Sequence, residues 1–93
     1  MEFRKYMNPP EPLYDIKKIR YHIGLVLRHE RKIRHMTQVQ LAVKAEYSPS
    51  VIGTTEIGVN PDMRLGNFLK TMNALGMTAD EFLGKCQQEE YWK

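Results

Sequence analysis

Residues Thr37 to Glu56, T-Q-V-Q-L-A-V-K-A-E-Y-S-P-S-V-I-G-T-T-E, are the stretch whose reading decides the fold. Thr37 is placed to cap a short helix over Gln38 to Lys44, with Leu41, Ala42 and Ala45 on its inner face. Ala42 is small where a second helix has to cross closely. Ser48-Pro49 then restarts a helix: serine is a favoured N-cap, and proline at the first helical position has no N–H to leave unsatisfied. Ile52, four residues after Ser48, falls on the buried face of that second helix. Two short helices joined by a turn, the second presented outward, have the layout of a helix-turn-helix.

Upstream, Asp15 is the expected N-cap of a helix from Ile16 to about Arg34. Ile16, Ile19, Ile23 and Leu27 recur at helical spacing and form its expected inner stripe, which Glu30 interrupts. Glu30 can pair with Arg34 one turn later. Downstream, Gly58 is placed to end the second motif helix in a left-handed conformation, and Asn60-Pro61-Asp62 reads as a turn. A fourth helix follows, with Leu65, Phe68, Leu69, Met72 and Leu75 on its apolar face and Gly76 closing it. Thr78 and Glu81 have capping-box spacing and open a fifth helix carrying Phe82 and Leu83. Pro9, Pro10 and Pro12 favour an extended course for an N-terminal arm that includes Phe3, Tyr6 and Tyr14. The expected organisation is an arm over 1–15, an all-α five-helix domain over 16–84, and a tail over 85–93 that is polar apart from Tyr91 and Trp92.

Ninety-three residues fit one domain with a modest core. No apolar run is long enough to cross a membrane, and the N-terminal residues lack the apolar segment of a signal peptide. The lone Cys86 excludes an intrachain disulfide, fits a reducing cytoplasm, and reads as a small side chain of the tail. The net charge of +3 is unevenly spread. Residues 16–35 carry seven Lys and Arg against Glu30 alone, whereas residues 36–62 carry Lys44 against Glu46, Glu56 and Asp62. Attraction to phosphates scales with nearby positive side chains, so non-specific DNA binding should be weak for a domain of this kind. Catalytic signatures are missing: there is no Gly-rich phosphate loop and no nucleophile elbow, and H-E-R-K lacks the second histidine of a zinc-protease motif. No metal or cofactor is expected. His22, His29 and His35 read as surface or groove-lining residues that gain charge below about pH 6.5.

Gly24, Leu27, Arg28, Arg31, Thr37-Gln38, Leu41-Ala42, Ser48, Ser50, Ile52, Glu56, Gly58, Asn60-Pro61 and Ala74-Leu75-Gly76 follow one another in an order and spacing with which the chain resembles the Cro and phage-repressor helix-turn-helix family, also called the xenobiotic-response-element family. The resemblance covers about residues 19 to 83. It implies a compact, lambda-repressor-like five-helix domain and a sequence-specific DNA-binding regulator: a cytoplasmic repressor that binds double-stranded DNA as a homodimer. It places base contact at Pro49, Ser50, Val51, Gly53 and Thr54, with Gln38 and Thr37 on phosphate and Ser48 capping the recognition helix. It also implies that Arg31 and Glu56 form a charged pair tying the first helix to the end of the recognition helix. Phe82, Leu83, Tyr91 and Trp92 are the apolar side chains available for a dimer contact.

Several positions depart from the family. Apart from Gln38, the reading face has no Arg, Lys, Asn or Gln, so specificity would lean on small contacts, water and DNA shape. Gly53 either lets the recognition helix approach the groove closely or is an unimportant surface position. Val39 and Val43, where the family is polar, are either covered by the arm or the longer Pro61–Leu75 connection, or form a stripe for a protein partner. Glu46 occupies a turn position where the family favours glycine, so either an unusual backbone angle or a slightly different turn is expected there. These departures support an alternative on the same fold: an antitoxin or protein-interaction adaptor, with a toxin or another regulator as partner.

Overall fold

The computed structural model describes residues 15–58 and 63–88. Five helices and no strand occur among them: α1 (Ile16–Ile33), α2 (Gln38–Ala45), α3 (Pro49–Glu56), α4 (Leu65–Leu75) and α5 (Ala79–Cys86). The arm, the Asn60-Pro61-Asp62 turn, Tyr91 and Trp92 lie outside the described residues. No described helix is long and apolar enough to cross a membrane.

Side-chain caps set the starts of α1, α2, α3 and α5, whereas α4 begins at Arg64 without one. The Asp15 carboxylate accepts from the Lys18 amide at 3.2 Å. Thr37 and Gln40 form a complete capping box: Thr37 Oγ1 accepts from the Gln40 amide at 3.0 Å and Gln40 Oε1 accepts from the Thr37 amide at 2.8 Å. Ser48 caps α3 ahead of Pro49, and Thr78 caps α5.

Three helix ends share one device. α1, α2 and α4 are each followed by a left-handed residue, at His35 (φ 56°), Glu46 (φ 61°) and Gly76 (φ 69°). In each case the next amide reaches back five residues: Met36 to Arg31, Tyr47 to Ala42, and Met77 to Met72, at 3.0–3.2 Å. These are Schellman ends. Glycine supplies the left-handed angle in only one of them. In all three, the residue after the turn is apolar and packs on the core, as Met36, Tyr47 and Met77 do. That burial offsets the roughly 1–2 kcal/mol that a side chain costs in this conformation.

The core joins Val26 and Leu27 of α1, Leu41, Ala42 and Ala45 of α2, Ile52 of α3, Met72, Ala74 and Leu75 of α4, and Phe82 and Cys86 of α5. Phe82 meets Phe68 edge to face at a centroid distance of 5.7 Å. The inner face of α1 is rotated from the expected stripe. Val26 is fully buried, Ile19 and Ile23 are half-buried, and Ile16 is exposed. Leu65 and Leu69 are exposed as well, so the apolar face of α4 is narrower than its sequence spacing suggests.

α5 continues past the expected boundary at residue 84. Cys86 is fully buried, and its thiol is pushed up to about 12 by that burial, so it is a core residue rather than part of a tail. Next to it, Lys85 Nζ donates to Glu30 Oε1 at 2.5 Å. Glu30 is 1% exposed. Its nearest cation is therefore Lys85 of α5. Arg34, the expected partner, forms a longer ion pair with its other oxygen, at 3.6 Å. The Arg34 guanidinium also donates to the carbonyls of Glu30 and Leu75, closing the end of α4. His22 is 2% exposed and lies within the fold, contrary to the expected surface position. Its pKa lies below the ordinary value because burial disfavours the imidazolium; nearby Lys18 acts in the same direction, and a hydrogen bond to the Cys86 backbone opposes it.

Candidate nucleic-acid interface

The motif is held from behind by α1. At Gly24 the first helix passes so close to α3 that an added Cβ would lie 2.5 Å from the Thr55 carbonyl oxygen and 2.7 Å from that of Glu56. Only glycine allows this approach. About two turns further along α1, Arg31 grips the end of α3. Its Nε donates to Glu56 Oε2 at 2.7 Å and its Nη2 to Glu56 Oε1 at 2.9 Å, a two-pronged pair. A third donor, Nη1, reaches the Met36 carbonyl at 2.8 Å. Both residues are buried, and the bonds to Glu56 hold the Arg31 pKa above its ordinary value. The expected pair is present.

From the other side, Tyr47 in the turn between α2 and α3 hydrogen-bonds the Thr71 hydroxyl of α4. Thr71 Oγ1 also lies 2.7 Å from the Asn67 carbonyl, on the inner side of α4. The left-handed Glu46 gives the turn its expected unusual angle. The motif is thus fixed at the C-terminal end of α3 and at the turn between α2 and α3.

What remains outward is the N-terminal part of α3. Pro49 and Ser50 are exposed; Val51, Gly53 and Thr54 are half-exposed. The hydroxyls are already engaged. Ser48 Oγ lies 2.8 Å from Ser50 Oγ, and Thr54 Oγ1 donates to the Ser50 carbonyl at 2.8 Å. Thr54 can therefore accept a hydrogen bond from a ligand without losing anything, but donating one would break its bond to the helix. Thr37 and Gln40 are both consumed in the capping box.

Gln38 stands at the start of α2, where it was expected, but its amide is not idle. Nε2 donates to Glu56 Oε1 at 3.1 Å, so Gln38 is a third member of the Arg31–Glu56 cluster. The 18-residue separation and the polarity of both side chains left no sequence signal for this link. Beside the Gly53 Cα lies the Gln38 carboxamide, a neighbour that neither expectation for this glycine included. Val39 and Val43 are 56% and 71% exposed; the arm and the start of the Pro61–Leu75 connection, expected to cover them, lie outside the described residues. Phe82 is buried and unavailable for a dimer contact, whereas Leu83 is at the surface.

Electrostatically the motif is close to neutral. Arg31 compensates Glu56 internally, leaving Lys44 and Glu46 on α2 and its turn. Of the other exposed cations among the described residues, Lys17, Lys18, Arg28 and Lys32 belong to α1, and Arg64 and Lys70 to the start and body of α4. Among the described residues, no group of three or more His, Cys, Asp or Glu could hold a metal ion. Comparison with protein-family models gives no match, and no curated protein is significantly similar to the chain.

Proposed function

We propose that this chain is a sequence-specific DNA-binding transcriptional regulator, a repressor acting as a dimer, that reads DNA through α2 and α3. One observation carries the reading. A short helix with an exposed, uncharged N-terminal half is locked at its far end both by a buried two-pronged ion pair and by a glycine-only crossing. A fold that fixes an exposed short helix this firmly supports a helix used as a rigid probe. The reading side chains are small: Ser50, Val51 and Thr54 can meet base edges and a thymine methyl, with Gln38 near the backbone. Specificity then draws on DNA shape as much as on paired contacts.

The test is selection of duplexes from a random pool by the full chain, followed by titration of the winner against scrambled DNA at several salt concentrations. A preferred sequence, with affinity falling only shallowly with salt, supports the reading. Equal and weak binding to all duplexes removes it.

A second reading has its own observation. Val39 and Val43 lie one turn apart on α2 and are both exposed, which suits a protein partner such as a toxin or another regulator. Val43→Asp would abolish such an association while leaving the melting temperature of the free chain within a few degrees.

A further inference from the structure

Gly53 sits in the middle of α3, where glycine weakens a helix relative to alanine. A Cβ placed there would lie 3.3 Å from Gln38 Oε1, 3.8 Å from its Cδ and 3.9 Å from its Nε2. The whole carboxamide of Gln38 therefore lies over the bare Cα. On its other side the same carboxamide donates to Glu56 Oε1 at 3.1 Å, and Glu56 is itself fixed by Arg31 through two bonds. A long side chain at the start of an exposed helix would ordinarily sample several rotamers. Here it is held between the backbone of one helix and a carboxylate that cannot swing away.

We propose that Gly53 is a positioning residue: the space left by its missing side chain seats the Gln38 carboxamide against Glu56, so that α2 and α3 offer DNA one fixed amide at the junction of the motif. The inference rests on the DNA-binding reading of these two helices. A side chain ordered before binding loses less freedom on binding, which is equivalent to about 2- to 10-fold in affinity. The seat also explains why a helix-weakening residue stands at a position of α3 that the Gln38 carboxamide covers.

Gly53→Ala, Gln38→Ala and the double variant of the full chain are compared with the unsubstituted protein in two measurements. The first is the NMR signal of the Gln38 side-chain amide in protein free of DNA. The second is the affinity for a duplex that the unsubstituted protein selects from a random pool. Gly53→Ala is expected to move the Gln38 amide signal toward that of a free glutamine and to weaken binding by about 2- to 10-fold. In the Gln38→Ala background the same substitution should change affinity by less than about 2-fold, because no carboxamide remains to be displaced. An amide signal unmoved by Gly53→Ala overturns the proposal. Equal weakening in both backgrounds also overturns it, by showing that the bare Cα serves close approach to the groove. If the unsubstituted protein selects no duplex, the DNA-binding reading fails on its own, and the amide signal alone decides whether Gly53 seats Gln38.

Discussion

Replacing Glu56 by glutamine removes one charge and turns one acceptor into a donor, with no change of shape. The consequence follows from three distances. Arg31 Nε and Nη2 lie 2.7 and 2.9 Å from the two carboxylate oxygens, and Gln38 Nε2 lies 3.1 Å from one of them. All three neighbours are donors, so the new –NH2 group must face at least one of them. Arg31 cannot discard its charge to adapt, because the guanidinium stays protonated at any pH a protein survives. Breaking a buried pair costs about 3–5 kcal/mol, and an exposed one about 0–1 kcal/mol. Arg31 and Glu56 are 8% and 7% exposed, which puts them near the buried limit. The remaining amide oxygen still accepts one bond, so we expect a loss of about 2–3 kcal/mol. For a domain of this size that corresponds to a fall in Tm on the order of 10–20 °C. Thermal unfolding followed by circular dichroism at pH 7 measures it directly. Operator affinity should fall as well, because α3 loses its anchor to α1. The double variant Arg31→Met with Glu56→Leu should recover much of the stability without the affinity. A Glu56→Gln protein that melts within about 3 °C of the unsubstituted one would refute the reasoning from buried donors.

Gly24→Ala should destabilise by about 1–3 kcal/mol, since its Cβ would meet two backbone oxygens that no side-chain rotation can clear. Alanine normally favours a helix, so a raised denaturant midpoint would contradict the close crossing. Lys85→Met should lower stability by about 2 kcal/mol, a figure reduced for the 35% exposure of the Lys85 side chain; adding Glu30→Leu should restore most of it in urea unfolding. If the single variant loses less than about 0.5 kcal/mol, the link is not holding α5. His22 has a folded pKa below its ordinary value of 6.5, so the unfolded chain takes up the proton first as pH falls. Its contribution is therefore fully present above about pH 6.5 and lost below it. Urea midpoints at pH 7.5 and 5.5 should differ less in His22→Leu than in the unsubstituted protein, and identical differences would remove His22 from the acid response.

What could be read in the chain beforehand followed from local chemistry. Thr37, Ser48, Asp15 and Thr78 are caps because their side chains satisfy amides two or three residues away, and such short-range bonds leave a pattern in the sequence. Leu41, Ala42, Ala45 and Ile52 were legible from spacing, and Arg31–Glu56 from the resemblance to phage repressors. The links that escaped reading are long-range and polar. Nothing local marks Glu30 as the partner of Lys85, 55 residues away, or Gln38 as the partner of Glu56. The rotation of α1 that buries Val26 and exposes Ile16 depends on where α5 lies, and helical periodicity alone does not fix that. His35 escaped notice as a left-handed residue because the usual signal is glycine. The apolar Met36 behind it was the signal that could have revealed it.

The bond between Lys85 and Glu30 decides where this domain can be cut. By composition the chain turns polar after Leu83, which invites a fragment or a fusion junction at Gly84. Such a fragment would lack Cys86, leaving a gap against α1, and would also lack the cation that neutralises a fully enclosed carboxylate. The folding unit therefore ends by its electrostatics, after its last turn of helix, and not where its hydrophobic residues thin out. A shortened version has to run through Gln88, and a joined partner protein has to follow that residue, to keep intact a first helix whose Glu30 lies 55 residues before Lys85.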